Sequence, residues 1–200
     1  AMPLLIEENM TANLSRMLLD NEVDVLIVAL PFDVPGVQTR PLYDERFQVI
    51  VPHGHKWENR TEIPAEEIAD EEVLLLKAGN CFRDQVLEAC PAHGRGRDEH
   101  KHITVESSSL ETIRHMVASG AGIAVMPSSA ADPLVGREPM VKVLPFDAKV
   151  AKGRVAAARP DHIGRTVGLA WRATFPRPKA IDVVRQAILS CELPGVATSK

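Results

Sequence analysis

Helical and strand-like patterns alternate along this chain almost from end to end, and that alternation confines it to an α/β architecture. Around Thr11–Asp20, Leu14, Met17 and Leu18 recur at helical spacing, and Val23–Ala29 follows as a near-continuous, largely β-branched run. Such a run suits a strand buried on both faces, as in a parallel sheet. Phe47–Val51, closed by Pro52 and Gly54, and Val73–Leu76 are further runs of the same kind. Ile103–Val105 reads as a short strand, and Ser107, Ser108 and Ser109 offer N-caps to a helix ending near Gly120. Ile123–Met126, Val141–Leu144 and Thr166–Trp171 read as strands, and Pro178 suits the first turn of a last helix that runs to about Cys191. The expectation is an α/β fold with a mainly parallel sheet. Leu4–Ile6 reads as a strand-like piece with no helix before it.

One arrangement recurs. The stretches starting at Met17 and at Met116 each run from helix through a tight turn into an apolar strand. Two such units far apart in the chain suggest two similar lobes. The loop His53–Asn59 and the Gly/Lys/Arg-rich stretch 148–154 suit crossovers between them, and 91–101, polar and charged, reads as a mobile loop.

The 200 residues suffice for one large domain or two small lobes with hydrophobic cores. A net charge of −4 with scattered basic residues argues against this segment itself gripping nucleic acid. No apolar run reaches membrane-spanning length and no basic region leads into an apolar N-terminal stretch, so neither an anchor nor a signal peptide is expected. Three cysteines, an odd number, fit a reducing cytoplasm better than a disulfide framework.

Two of those cysteines, Cys81 and Cys90, bracket a stretch that reads as a helix, with Cys81 at its start. A thiol there feels the positive end of the helix dipole, which favours the nucleophilic thiolate. Arg83 and Asp84 follow in the first turn, where an Arg would favour the thiolate further and Asp84 could move a proton or orient Arg83. A rise of 1.5 Å per residue sets the two Cα atoms about 13 Å apart, whereas a disulfide tolerates at most roughly 7 Å. A bond between them therefore requires the helix to unwind. Taken singly, each thiol also reads as an inert, small core residue. Cys191 shares a helical face with Ile181, Val184 and Ile188 and reads as core packing.

Other chemistries find little support. His93, His100 and His102 follow Cys90 but lack the paired spacing of structural zinc sites, so no metal and no cofactor is expected. No C-x-x-C pair, Walker loop, Rossmann glycine fingerprint or G-x-S-x-G elbow occurs. Gly120-Ala-Gly122 reads as a helix C-cap leading into a strand. The Ser107–Ser109 cap serves helix stability or, facing a cleft, an anionic or polar effector.

Gly-Asn-Cys-Phe-Arg-Asp-Gln at 79–85, Cys90, the stretch 108–120 and Arg-Thr-Val-Gly-Leu-Ala-Trp-Arg at 165–172 together resemble the OxyR-type, hydrogen peroxide-sensing LysR-type transcriptional regulators. The resemblance covers nearly the whole chain, and the cysteine segment is its most specific part. It implies a two-lobed, type II periplasmic-binding-protein-like regulatory domain, with a first strand and helix of lobe I upstream of these residues. Lobe I would hold 1–50 and 150–200, and lobe II 51–149 with the cysteine pair. It further implies that Cys81 is peroxidatic and Cys90 its resolving partner. Thr11, Gly79, Asn80, Asp84 and Arg165 would bind peroxide or stabilise the thiolate. Asn80 stands where many such proteins have a histidine; it can hydrogen-bond but cannot titrate.

What the resemblance implies is a cytoplasmic peroxide sensor, not an enzyme. It would work as a homodimer or homotetramer, reach promoter DNA through an N-terminal winged helix-turn-helix outside this sequence, and be reset by thioredoxin or glutaredoxin. Two other readings stay open: a LysR-type domain binding a small metabolite between its lobes without redox chemistry, and a thiol peroxidase.

Overall fold

The computed structural model describes residues 3–90, 103–147 and 162–198. The stretches 91–101 and 148–154 and the histidines His93, His100 and His102 lie outside the described residues.

Helix α1 (Thr11–Leu19) leads into strand β1 (Val25–Leu30), and helix α3 (Leu110–Ala118) leads into strand β5 (Ala124–Pro127). The two connections share one geometry. Asn21 and Gly120 both take positive φ just past the helix end, 63° and 83°. The Glu22 N–H returns to the Met17 carbonyl and Asn21 N–H to Leu18, as Ala121 N–H returns to Met116 and Gly120 N–H to Val117. These are the two bonds of a Schellman ending, which closes carbonyls the helix leaves open. The recurrence seen in the sequence is therefore a repeated local structure.

The sheet arrangement differs from the expectation. Strand β2 (Val37–Pro52) is sixteen residues long and runs antiparallel to every strand it meets. Its first half pairs with β7 (Gly164–Arg172) and β8 (Val196–Thr198), and its second half with β5 and β6 (Val141–Pro145). Strand β1 closes on β7, also antiparallel. Parallel pairing among the described residues joins β3 (Val73–Leu76) to β4 (Ile103–Ser107), with single bridges Val73–Ile123 and Ile63–Phe146. The apolar runs are buried as expected, but one long shared strand reverses the dominant pairing. Residues 3–10 adopt no regular structure, and Leu5 is 98% exposed, because no described strand offers Leu4–Ile6 a ladder.

The core is divided. The largest cluster gathers Phe47, Val49, Ile50 and Val51 of β2, strands β3 and β5, and Phe82, Val86 and Ala89 of helix α2 (Cys81–Ala89). A second places Leu18 of α1 on Leu26, Val28 and Ala170, and a third places Ile181 of helix α5 (Pro178–Leu189) on Leu42, Leu169 and Trp171. Alternation along β7 sends Ala170 to α1 and its neighbours Leu169 and Trp171 to α5, as a period of two requires. Strand β2 thus carries the chain from the small cores into the large one. The loop His53–Asn59, expected as a crossover, contributes Trp57 to the large core.

Where β2 and β7 approach most closely, Glu45 lies opposite Arg165 and Arg46 opposite Gly164. A Cβ at Gly164 would collide with the Glu45 carbonyl oxygen, which is backbone and cannot step aside. Gly164→Ala is therefore expected to cost about 1–3 kcal/mol by overpacking, measurable by urea denaturation; an unchanged midpoint would contradict the tight approach.

Candidate functional site

Strand β3 is buried along its whole length and delivers the chain to α2 through a four-residue turn. Gly79 occupies that turn at φ 89°, a conformation that side chains disfavour. Asn80 is the N-cap: its backbone is extended and its Oδ1 accepts from the Phe82 N–H at 2.9 Å. A cap of this type stabilises a helix by about 1 kcal/mol. The residue standing where a histidine was noted thus has a structural task of its own. Cys81 is the first helical residue, partly exposed, at the positive end of the dipole.

At the other end Cys90 caps α2, its N–H donating to the Val86 carbonyl at 3.0 Å. Its side chain is 2% exposed, within the large core. Burial, and then the negative charge of Glu66, push the Cys90 thiol up to about 12. Cys81 and Cys90 are both free thiols, and the helix between them is unbroken.

Arg83 has two partners of its own. Its Nη1 donates to the Leu76 carbonyl at 2.9 Å and to Glu106 Oε1 of β4 at 2.5 Å, tying α2 to the ends of β3 and β4. Asp84 is exposed in the first turn.

Arg165 does reach α2, through Phe82. Its Nε and Nη2 each lie 2.7 Å from Glu45 Oε2, and its guanidinium carbon sits 5.2 Å from the centre of the Phe82 ring. The Ser129 hydroxyl, on helix α4 (Ser128–Ala131), donates to the other oxygen of Glu45. Glu45 is only 1% exposed, so a charge that burial penalises is held by an arginine fork and a hydroxyl. Phe82 also meets Phe47 edge-on, ring centres 5.1 Å apart at 86°.

Thr11 opens α1, half-buried, and α1 rests on β1 and β7. The geometry thus joins Gly79, Asn80, Cys81 and Arg165 around the start of α2 and places Thr11 on a separate helix.

Two features were missed or misread. Glu45, Ser129 and Phe47 escape a linear reading because their contacts span 120, 84 and 35 positions; a cross-strand Glu–Arg pair against the first turn of α2 is visible once β2 and β7 are aligned. Cys191 is not core packing. The helix ends at Leu189, so Cys191 leaves the apolar face on which Ile181, Val184 and Ile188 pack, and it is exposed with Sγ 3.3 Å from the Ala187 carbonyl. At Ser109, the N-cap of α3, the hydroxyl makes no capping bond; Ser107 Oγ accepts from the Ser109 N–H at 3.2 Å instead. Among the described residues no group of three or more His, Cys, Asp or Glu side chains is arranged to hold a metal ion, and no helix is long and apolar enough to cross a membrane.

The family description "LysR substrate binding domain" matches residues 2–190. A "probable hydrogen peroxide-inducible genes activator" from Mycobacterium avium is 32% identical over 174 residues, which are 87% of this chain and 51% of that protein. The chain spans about half the length of the curated relatives it matches. Among solved structures, a reduced form of OxyR from N. meningitidis is 39% identical with a TM-score of 0.84, covering 100% of this chain and 86% of that one. The reduced OxyR regulatory domain from Pseudomonas aeruginosa is 48% identical with a TM-score of 0.79, covering 95% of this chain and 84% of that one. The two-lobed, type II periplasmic-binding-protein-like fold of those regulatory domains is the fold of this chain.

Two outcomes follow from the cysteine environments. Native-state alkylation should reach exposed Cys191 and partly exposed Cys81 well before buried Cys90; early labelling of Cys90 would contradict its burial. Because the folded Cys90 pKa lies above its ordinary value of 9.0, the folded state favours the neutral thiol. That stability is fully present below about pH 9 and lost as pH rises towards about 12. Unfolding midpoints across that window should therefore fall more steeply in the parent than in Cys90→Ala.

Proposed function

The chain belongs to the LysR substrate-binding domain family, and on that premise we propose that it is the hydrogen peroxide-sensing regulatory domain of a transcription factor. The observation that carries this reading is the contrast between two thiols at opposite ends of one helix, Cys81 partly exposed at its start and Cys90 sealed in the core at its end.

Cys81 attacks one peroxide oxygen as its thiolate. The S–O bond forms as the O–O bond breaks, and the departing hydroxide takes a proton to become water. Thr11, the Gly79–Asn80 turn, Asp84 and Arg165 bind the peroxide or stabilise the thiolate. Cys90 then attacks the Cys81 sulfenic acid, forming S–S, breaking S–O and releasing a second water. In sum, two thiols and one peroxide give a disulfide and two waters.

The second step cannot occur in place. With the two residues nine positions apart along a helix the sulfurs are out of reach, and a thiol held near 12 is almost wholly protonated at neutral pH. Unwinding α2 removes both obstacles at once: it frees Cys90 to travel and returns it to solvent, where its acidity recovers. The same unwinding withdraws Phe82, Val86 and Ala89 from the large core, and the repacking that follows is the signal.

In the whole protein this signal passes to an N-terminal winged helix-turn-helix on promoter DNA through a homodimer or homotetramer. The name of the M. avium relative, a hydrogen peroxide-inducible genes activator, supports a regulator over an enzyme; we place it in the cytoplasm, oxidised once per peroxide. Thioredoxin or glutaredoxin would restore the thiols. We assign 1–50 and 150–200 to lobe I and 51–149 to lobe II, on the support of the separate cores and of β2 passing between them.

Near-stoichiometric peroxide should give a Cys81–Cys90 disulfide by peptide mass spectrometry. Cys90→Ser should halt at the sulfenic acid, Cys81→Ser should abolish reaction, and Cys191→Ser should change nothing. Calorimetric binding of a small metabolite that is indifferent to Cys81→Ser, with Cys81 inert to peroxide, would overturn the proposal.

A further inference from the structure

Phe82, the residue after Cys81, lies between Phe47 of β2 and Arg165 of β7, and one face of β2 governs both contacts. Glu45 and Phe47 stand two apart on β2 and so point the same way. Phe47 meets the Phe82 ring edge-on, while Glu45 grips the Arg165 guanidinium that covers the ring. Glu45 and Arg165 are direct cross-strand partners, and the register beside them is fixed by the close approach at Gly164. Ser129 fixes the remaining carboxylate oxygen. Glu45, Phe47, Phe82, Arg165 and Ser129 are each buried or half-buried, and the two thiols alone do not explain their arrangement.

Phe82 cannot stay there if α2 unwinds from its first turn. It lies inside the segment that must open, and its N–H is the one capped by Asn80. Building on the assignment of Cys81 as sensor and Cys90 as resolver, we propose that Glu45 is a positioning residue for the resolving step: by holding Arg165 over Phe82 it clamps the first turn of α2 and sets how fast Cys90 reaches the Cys81 sulfenic acid. Glu45 acts through Arg165 and does not itself meet the peroxide. The step it governs is the one already balanced, Cys90 thiol plus Cys81 sulfenic acid giving disulfide and water.

The choice of Glu45→Gln follows from the geometry. Glutamine keeps the size and can still accept one bond from Arg165, but it removes the charge that anchors the fork; Arg165 is itself partly exposed and can be solvated. Phe82→Leu is the companion variant, since it keeps apolar volume in the core and removes the ring face that Arg165 covers.

The experiment adds one equivalent of peroxide to the reduced chain, quenches at intervals and follows each cysteine by peptide mass spectrometry. Loss of the Cys81 thiol reports attack, and appearance of the Cys81–Cys90 peptide reports resolution. Glu45→Gln should speed resolution at least about threefold, as loosening a cation–π contact permits, while attack, which Arg165 assists, should slow or stay the same and never speed up. Phe82→Leu should do the same, and adding Glu45→Gln to it should bring little more, because the two act through one contact. That non-additivity is what a general loss of stability would not produce, and Phe82→Leu keeps the test open should Glu45→Gln not fold. Unchanged resolution in both variants, additive effects, or a change confined to attack would overturn the clamp. Absence of any Cys81–Cys90 disulfide in the unsubstituted chain would instead overturn the sensing assignment on which the clamp rests.

Discussion

A standing α-helix and a bond between its two ends exclude each other, and the chemistry assigned to this domain follows from that incompatibility. Nine residues of α2 hold Cys81 at the surface and Cys90 in the core. The helix is short, and helices of this length are marginal on their own. What keeps it is tertiary: Phe82, Val86 and Ala89 enter the large core, Asn80 caps the start, and Arg83 ties it to β3 and β4. An element whose stability comes from a few outside contacts can be released by removing them, which is the property a switch needs.

The two thiols divide the work by environment, not by kind. Burial raises the Cys90 pKa and closes the thiol off from solvent while the helix stands, which disfavours its reaction there. Opening α2 changes its position and its acidity together. In the proposed mechanism the order of events, attack first and resolution second, would follow from this packing. Cys191 lies outside this logic, exposed past the end of α5 and remote in sequence from both.

Much of this was legible in the sequence, for definite reasons. The apolar runs at Val73–Leu76 and Thr166–Trp171 gave their strands within a residue or two, because full burial leaves an uninterrupted apolar signature. The Met17 and Met116 units read as repeats because their turns carry Asn21 and Gly120, residue types that tolerate positive φ. The first half of β2 did not read as strand: Pro41 and the polar Tyr-Asp-Glu-Arg at 43–46 hide it, and its ladder partners lie far away in the chain. With β2 unseen, antiparallel pairing and the Glu45–Arg165 contact were both invisible. Cys191 was misread by extending a helical stripe past the point where the helix stops, and Leu4–Ile6 by counting apolar residues without asking what they pair with.

The central claim, that the disulfide and the helix cannot coexist, is tested most directly by amide hydrogen exchange across residues 81–90 during a peroxide titration. The account predicts that protection of the α2 amides falls in proportion to the fraction of chains carrying the Cys81–Cys90 bond. A fully formed disulfide with those amides still protected would contradict it.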